Sequence, residues 1–151
     1  MIHIMFVCHG NICRSPMAEF VMRDLVEKAG LSQKIHIASS ATSREEIGNG
    51  VHHGTRKILE KLSISCSGKR AVQLTKSDYD IYDYIVAMDN WNLSNIHRII
   101  GEDTAQKVSL LLNFADGGEV ADPWYTGDFE TTYRDVLAGC TGLLEHIKSK
   151  L

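Results

Sequence analysis

The amino-acid sequence predicts an α/β fold, a single doubly wound domain in which a four-stranded parallel sheet is flanked by helices. Short apolar runs alternate with amphipathic stretches along the chain, which is the pattern of βαβ units. The 151 residues suit one domain, residues 1–151, with a complete hydrophobic core. No internal repeat, low-complexity tract or linker rich in proline or serine divides the chain. Right-handed crossovers between the apolar runs therefore give a small parallel sheet.

The elements follow from the hydrophobic periods. Strands are expected at four apolar runs: Ile2–Val7, Lys34–Ser39, Tyr84–Met88 and Lys107–Leu112. Helices are expected at four amphipathic stretches: Pro16–Ala29, Thr55–Leu62, Trp91–Ile100 and Phe129–Lys148. The last helix has the clearest period, because its apolar side chains fall on one stripe: Phe129, Tyr133, Val136, Leu137, Cys140, Leu143, Leu144 and Ile147. Gly139 and Gly142 lie inside this helix and weaken it.

The first predicted helix has local start and stop signals. Ser15 is a residue type that caps helices, and Pro16 would then stand at the first helical position, where its missing N–H costs nothing. Gly30 follows the last apolar residue of the stretch and is expected to end the helix.

Composition and charge exclude several classes of function. A net charge of −3 is a poor footprint for nucleic acid, since phosphate backbones bind concentrated basic faces. No apolar stretch approaches the ~20 residues of a membrane span, and the segment Met1–Val7 has the character of a strand rather than of a signal peptide. The four cysteines lack the paired spacing of a zinc site. We therefore expect free thiols in a cytoplasmic protein, with neither metal nor cofactor.

The loop after the first strand has the composition of an anion site. Its eight residues, Cys8-His-Gly-Asn-Ile-Cys-Arg-Ser15, join a strand to a helix. A loop of this length can curl so that successive backbone N–H groups surround a tetrahedral oxyanion, and the following helix adds its positive end. Gly10 and Asn11 are residue types that tolerate the left-handed backbone such a curl requires. Doubly wound sheets also bind ligands beyond the carboxyl ends of their strands.

Three side chains in this loop point to phosphate chemistry. Cys8 would lie where the N–H groups converge, which favours its thiolate and a depressed pKa. Arg14 has the planar fork that binds two phosphate oxygens, and Ser15 can donate its hydroxyl to the Cys8 sulfur. An isolated Cys-x5-Arg match is weak evidence, since a cysteine at a strand end is usually core. Here the preceding strand and the following helix favour the functional interpretation.

The segment Val7-Cys-His-Gly-Asn-Ile-Cys-Arg-Ser-Pro-Met-Ala-Glu19 resembles the signature of the low-molecular-weight protein tyrosine phosphatases. Further motifs resemble this family in the expected order along essentially the whole chain: Ser39–Thr42, Gln73–Thr75, Ala87–Asp89, Asn92-Leu93, Asp122–Tyr125 and Gly142–Glu145. The resemblance implies a four-stranded parallel sheet flanked by helices. It also implies metal-independent hydrolysis of phosphotyrosine, with phosphotyrosine proteins as substrates.

The resemblance also implies roles for single residues. Cys8 would attack phosphorus and become a phosphocysteine, and Arg14 with the loop amides would hold the phosphate oxygens. Asp122 would protonate the leaving phenolate and then activate water, although Asp-Pro taken alone is merely a turn signal. The remaining implied roles are bracing of the loop by Asn11, Ser15 and Ser39, and a substrate cleft formed by His9, Glu45, Trp124 and Tyr125.

The other cysteines and the paired histidines have less specific signals. In the family, the thiols at the positions of Cys8 and Cys13 form a reversible disulfide that protects the nucleophile, although Cys13 as plain core packing is a fair alternative. Cys66 and Cys140 are interpreted as structural. His52-His53 is interpreted as a solvated surface pair, because adjacent residues point apart and no further ligand has the right spacing.

The chain departs from the family pattern at two places. Lys69-Arg-Ala-Val72 stands where many relatives have His-x-Ala/Ser-Arg, so the loop bracing by that histidine and arginine is not carried over. Glu45 stands near a rim position where relatives often have an aromatic residue, which disfavours acidic peptide substrates.

Three alternative functions use the same fold or loop. An arsenate reductase needs further thiols to relay a disulfide, and Cys66 and Cys140 form no close pair. A protein arginine phosphatase has threonine at the position of Ile12. A non-catalytic phosphate-binding module would be expected to lack Cys8, Arg14 or Asp122, and all three are present. The sequence specifies neither the physiological substrate nor the oligomeric state.

Overall fold

The computed structural model describes all 151 residues. Its sheet has four strands, β1 (Ile2–Cys8), β2 (Ile35–Ala41), β3 (Tyr84–Ala87) and β4 (Val108–Leu110), in the order β2-β1-β3-β4. All three neighbouring pairs are parallel, which confirms the predicted sheet. The chain passes from β1 outward to β2 and then returns to the other side of β1 for β3. The strand order therefore reverses beside β1, where doubly wound sheets bind their ligands.

The helices include all four that the periodicity predicts. In chain order they are α1 (Arg14–Lys28), α2 (His53–Lys61), α3 (Asp78–Ile81), α4 (Asn90–Ile100), α5 (Pro123–Thr126) and α6 (Phe129–Lys148). A 3₁₀ turn, Leu111–Phe114, follows β4. Sequence analysis missed α3 and α5, because four residues are too few to show a helical period.

The predicted start of α1 is wrong. The residue before the helix is Cys13, whose side chain makes no capping hydrogen bond. Ser15 and Pro16 are the second and third residues of the helix rather than its cap and first position. The reason is that the Ser15 hydroxyl is engaged elsewhere, accepting a bond from Asn11 and contacting the Cys8 sulfur. The first turn of α1 is thus part of the loop itself.

The fourth strand is shorter than predicted, because the chain turns into the 3₁₀ segment at Leu111. This segment packs directly on α6. A Cβ atom added to Gly142 would lie 1.8 Å from the carbonyl oxygen of Phe114, and one added to Gly139 would lie 2.4 Å from Cγ of Leu111. The two glycines therefore permit a close approach, at the cost in helix propensity that the sequence indicates.

The core lies on both faces of the sheet. Along β1, Ile4, Phe6 and Cys8 belong to the larger apolar cluster with α1 and α6, whereas Met5 and Val7 belong to the smaller cluster with α4. This alternation is the two-residue period of a strand that is covered on both sides. None of the helices is long and apolar enough to pass through a membrane.

Candidate active site

The loop after β1 is held from outside through its carbonyl oxygens. Four neighbouring groups donate to them: Thr42 N to Cys8 O (3.0 Å), Ser43 N to His9 O (3.0 Å), His52 N to Ile12 O (2.9 Å) and Thr55 Oγ1 to Cys13 O (3.0 Å). The amide N–H groups of residues 9–14 donate to no protein acceptor. With its carbonyls tied outward and its N–H groups free, the loop has the character of an anion nest.

The left-handed turn of the loop is at Asn11, where φ is +59°. Gly10, which the sequence offers for the same purpose, does not have a positive φ. A Cβ at Gly10 would lie 3.4 Å from Cγ of Glu46, an ordinary contact. The tight curl therefore depends on Asn11, a residue type whose polar side chain makes this conformation accessible.

Cys8 lies at the base of this loop, with only 3% of its surface exposed. Its sulfur is 3.0 Å from Oγ of Ser15 and accepts from the Ser15 backbone N–H at 3.4 Å. Two donors from the first turn of α1 thus face one sulfur.

A hydrogen-bond chain fixes the direction of the Ser15 hydroxyl. The Val72 backbone N–H donates to Oδ1 of Asn11 (3.2 Å), which orients the amide group. Asn11 Nδ2 then donates to Oγ of Ser15 (2.8 Å) and Oγ of Ser39 (2.9 Å). Because Ser15 Oγ accepts from Asn11, its own hydrogen is free to donate, and the Cys8 sulfur at 3.0 Å is a nearer acceptor than the Ser40 carbonyl oxygen at 3.4 Å. The structure therefore brings together Asn11, Ser15 and Ser39, the three residues to which the family resemblance assigns bracing of the loop.

The same chain ends in a buried ion cluster beneath the loop. Ser39 Oγ donates to Oε1 of Glu19 (2.6 Å), a carboxylate whose side chain is 4% exposed. Arg23 pairs with the other oxygen of Glu19 at 2.6 Å. Lys69 Nζ lies 3.6 Å from Glu19 and donates to the Ser39 carbonyl oxygen at 2.9 Å. Burial lowers the pKa of Lys69. Sequence analysis assigned no bracing to residues 69–72, and the structure gives that role to the Lys69 ammonium and the Val72 amide.

Arg14 is anchored from the side opposite the loop. Its guanidinium is 2% exposed, and Nη1 donates to Oδ2 of Asp89 (2.7 Å) and to the Val120 carbonyl oxygen (2.9 Å). Nη2 donates to Oδ2 of Asp122 at 3.4 Å. Burial acts against the charge of Arg14, but the nearby Cys8 sulfur and Asp89 outweigh it, so the pKa of Arg14 is raised. The guanidinium therefore remains charged and points into the pocket at a fixed position.

Asp122 closes the pocket across from Cys8. Its Oδ1 accepts from the Trp124 backbone N–H (3.0 Å) and caps α5, with Pro123 at the first helical position. Asp122-Pro123 is therefore a turn that begins α5, and the same turn places the Asp122 carboxylate in the pocket. One cleft is lined by eleven residues: Cys8, His9, Gly10, Ile12, Cys13, Arg14, Glu45, Glu46, Asp122, Trp124 and Tyr125. Every residue predicted for the nucleophile, the clamp, the acid and the cleft is in this set.

The rim of the cleft is polar and exposed. His9 Nε2 lies 3.0 Å from Oε2 of Glu45, with the two side chains 39% and 70% exposed. Trp124 and Tyr125 are 57% and 83% exposed. The rim thus combines aromatic surface with carboxylates.

The cysteines differ in their burial, and so do the two adjacent histidines. Cys8 and Cys13 are both free thiols, and burial followed by the charges of Cys8 and Asp122 raises the pKa of Cys13 to about 12. Cys140 is fully buried in the core.

The two adjacent histidines have different surroundings. His53 is exposed, but His52 is half-buried and its Nδ1 accepts from the Gly54 N–H, so the predicted surface pair is wrong for His52. The structure gathers no three His, Cys, Asp or Glu side chains that could hold a metal ion.

Sequence analysis did not assign site roles to Glu19, Glu46, Lys69 and Asp89. Asp89 had a detectable signal, because its side chain accepts from Asn92 N in a capping box at the start of α4. Glu46 also lines the cleft, and its position next to Glu45 in the chain was the one available signal. Glu19 and Lys69 are charged residues inside the protein, and no local pattern separates these from surface charges.

Comparison with known proteins agrees with this geometry. The family model described as low molecular weight phosphotyrosine protein phosphatase matches residues 3–151. The low molecular weight protein-tyrosine-phosphatase YfkJ of Bacillus subtilis is 40% identical over 153 residues, covering 99% of this chain and 98% of its own. The crystal structure of YfkJ superposes with a TM-score of 0.96, covering 99% of this chain and 96% of that one.

Two further solved structures are informative. SP-PTP, a low molecular weight protein tyrosine phosphatase from Streptococcus pyogenes, has a TM-score of 0.87 and 43% identity, covering 97% of this chain and 93% of its own. A Drosophila arginine phosphatase, DARP, also has a TM-score of 0.87, with 27% identity over 96% of this chain and 97% of its own. From the family model over residues 3–151 and the full-length relatives, we conclude that this chain belongs to the low molecular weight phosphotyrosine protein phosphatase family.

Proposed function

We propose that the protein hydrolyses phosphotyrosine in protein substrates through a phosphocysteine formed on Cys8. The observation that supports this most directly is the loop itself. Six successive amide N–H groups, of residues 9–14, have no protein acceptor, and the sulfur of Cys8 accepts from Ser15 at the base of the same loop. A phosphoryl group would satisfy these donors while its phosphorus faces the sulfur. Preorganised donors of this kind account for much of the stabilisation of charge in transition states.

In the first step the Cys8 thiolate attacks phosphorus, the S–P bond forms and the bond to the phenolic oxygen breaks. Arg14 is already fixed by Asp89 and Val120 through Nη1. Its Nη2 holds Asp122 by a long 3.4 Å contact, which a phosphate oxygen can replace. Beside the bound phosphate Asp122 takes up a proton from solvent, and it gives this proton to the departing phenolate.

In the second step water attacks the phosphocysteine, the S–P bond breaks and inorganic phosphate leaves. Asp122, left without its proton, accepts one from the attacking water. The leaving group is the Cys8 thiolate, which accepts a hydrogen bond from the Ser15 hydroxyl at 3.0 Å. The bonds from Asn11 direct that hydrogen toward the sulfur in both steps.

The walls of the cleft favour an aryl phosphate over the alternatives. Trp124 and Tyr125 offer flat apolar surface beside Asp122, where a phenol ring would pass. Ile12 lines the same cleft and offers no hydroxyl to a guanidinium, although the similarity to an arginine phosphatase makes phosphoarginine the substrate to compare. Arsenate reduction is disfavoured because Cys140 is fully buried and burial raises its pKa, so it cannot receive a disulfide.

The test combines trapping with substrate comparison. Rapid denaturation in sodium dodecyl sulfate at alkaline pH during turnover of a phosphotyrosine peptide should trap a phosphoryl group on Cys8, detectable by mass spectrometry of the peptides. Cys8→Ser should abolish turnover yet keep affinity for phosphate or vanadate, whereas Cys66→Ser, at a half-buried thiol outside the cleft, should retain activity. Turnover surviving in Cys8→Ser would refute the nucleophile. A higher kcat/KM for phosphoarginine than for phosphotyrosine would refute the substrate.

A further inference from the structure

His52 lies outside the cleft, yet it contacts four parts of the molecule. Its backbone N–H donates at 2.9 Å to the Ile12 carbonyl oxygen of the loop after β1, residues 8–15, which is called the phosphate loop below. Its Nδ1 accepts from the Gly54 N–H at 3.1 Å and caps α2. Its ring stacks on Phe129, the first residue of α6, with centroids 5.2 Å apart and planes 13° from parallel. Its ring also meets Trp124 edge-on, at 5.7 Å and 75°.

Gly54 makes this arrangement possible. A Cβ atom on Gly54 would lie 2.4 Å from the Phe129 ring, so only glycine lets Phe129 lie against the start of α2. The His53 ring stacks on the His52 ring as well, with centroids 4.3 Å apart and planes 28° from parallel. The His52 ring is therefore held in one orientation by several aromatic contacts.

Capping alone does not explain a histidine at this position. Serine, threonine, aspartate and asparagine are the usual N-cap residues, and each would accept from Gly54 without a ring. The ring of His52 supplies contacts that capping does not need, and one of them reaches the cleft wall. Trp124 is 57% exposed, and His52 is its one aromatic neighbour. The ring therefore offers Trp124 a fixed surface.

We propose that His52 is a positioning residue that ties the phosphate loop to the Trp124 wall and thereby sets the affinity for the aryl part of the substrate. This inference rests on the proposed function, because it assigns Trp124 to binding of a phenol ring. Asp122 accepts from the Trp124 N–H, so an orientation imposed on Trp124 also extends to the helix turn that bears Asp122. The loop and the wall lie more than a hundred residues apart in the chain, and His52 contacts both.

The surroundings of His52 keep its ring neutral. Burial lowers the pKa of His52, and the neighbouring His53 and Arg56 lower it further, whereas Glu46 opposes them. Because Nδ1 accepts a hydrogen bond from Gly54, the neutral ring carries its hydrogen on Nε2. The cap on α2 thus requires the neutral ring.

Two substitutions separate the ring from the cap. His52→Asn keeps an acceptor for Gly54 and the backbone bond to Ile12 but removes the ring. We expect it to raise KM for a phosphotyrosine peptide about three- to tenfold, the range of one aromatic contact, with kcat and the inhibition constant of inorganic phosphate within about twofold. His52→Phe keeps a ring but loses the acceptor, so it should keep KM and lower the melting temperature. The matched control is His97→Asn, at an exposed histidine of α4 outside the cleft, which should leave KM within about twofold.

A double-mutant cycle and a spectroscopic readout complete the test. In a Trp124→Ala background, His52→Asn should raise KM no further, because the wall that it positions is gone. With Trp91→Phe, Trp124 is the single tryptophan, and His52→Asn should shift its emission to the red even in protein without activity. Unchanged KM and unchanged emission in His52→Asn would reduce His52 to a cap and overturn the inference. The trapping of phosphocysteine on Cys8 tests the proposed chemistry separately. If the chemistry is wrong, trapping fails whatever the His52 variants show.

Discussion

The floor and the wall of the cleft are built in different ways. The floor, residues 8–15, has buried side chains at Cys8, Asn11, Arg14 and Ser15, and each of them makes at least two polar contacts. The wall, formed by residues 45, 46 and 122–125, is exposed at Glu45, Trp124 and Tyr125, and its two aromatic side chains make no hydrogen bond. In the proposed reaction, fixed geometry is needed around the oxygens of the phosphoryl group, and an exposed surface suits a variable substrate. The proposal thus assigns the chemistry to the rigid floor and the recognition of the substrate to the more open wall.

The largest test of this division is Asp122, which lies on the wall but is assigned to the chemistry. Loss of a general acid should depend on the leaving group, whereas loss of a turn residue should slow all substrates alike. We expect Asp122→Ala to lower kcat/KM for phosphotyrosine roughly 10²–10⁴-fold, because a phenolate with a pKa of about 10 leaves poorly without a proton. The loss should shrink for aryl phosphates with acidic phenols, wherever formation of the phosphocysteine limits the rate.

The measurement for Asp122 is kcat/KM for a series of aryl phosphates, with folding verified by circular dichroism. A steeper dependence on leaving-group pKa in Asp122→Ala than in the parent protein supports the general acid. Parallel lines of equal slope would place the acid elsewhere and leave Asp122 as the cap of α5.

The second test compares two buried serines of β2. Ser39 Oγ accepts from Asn11 and donates to Glu19, whereas Ser40 Oγ is buried with no hydrogen-bond partner. Ser39→Ala should lower kcat about tenfold, because a buried amide hydrogen and a carboxylate lose their partner. Ser40→Ala is the matched control and should leave kcat within about twofold while keeping or raising stability. Equal losses of kcat in both variants would show that the chain from Glu19 to Cys8 does not direct the Ser15 hydroxyl.

The third test concerns Cys13 and oxidation of the nucleophile. If a Cys8–Cys13 disulfide forms after mild peroxide, dithiothreitol should restore activity severalfold better in the parent protein than in Cys13→Ser. The thiolate of Cys13 is the attacking species, and its pKa is about 12. Its fraction rises about tenfold per pH unit below that value, so disulfide closure should be faster at pH 9 than at pH 7. Equal recovery of the two proteins would make Cys13 a packing residue.

The smallest effect is expected on the rim of the wall. Glu45 is 70% exposed and pairs with His9, so its charge is open to substrate and screened by water. Glu45→Gln should lower kcat/KM about two- to threefold for peptides with lysine beside the phosphotyrosine. The same variant should leave p-nitrophenyl phosphate turnover unchanged, because this substrate has no flanking residues. A larger fall for acidic peptides than for basic ones would contradict an electrostatic role.

Local chemistry in the sequence is enough to predict the strands, the long helices and the phosphate loop. The reason is that strand period, helix period and the Cys-x5-Arg-Ser spacing are properties of adjacent residues. The same reasoning failed at Ser15, which has the composition of a cap but is recruited by Cys8 and Asn11. It also attributed the left-handed turn jointly to Gly10 and Asn11, and only Asn11 has a positive φ.

The sequence by itself determined the loop of residues 8–15 and the family signature, because these are written within short segments of the chain. Tertiary structure alone decided which distant residues support them. Lys69 and Glu19 lie fifty residues apart in the chain and 3.6 Å apart beneath the loop, and Asp89 reaches Arg14 from the start of α4. His52 meets Trp124 only after α2, α5 and α6 have packed. A buried charge or a stacked ring has no local signature, since its stability comes from partners that only the folded chain provides.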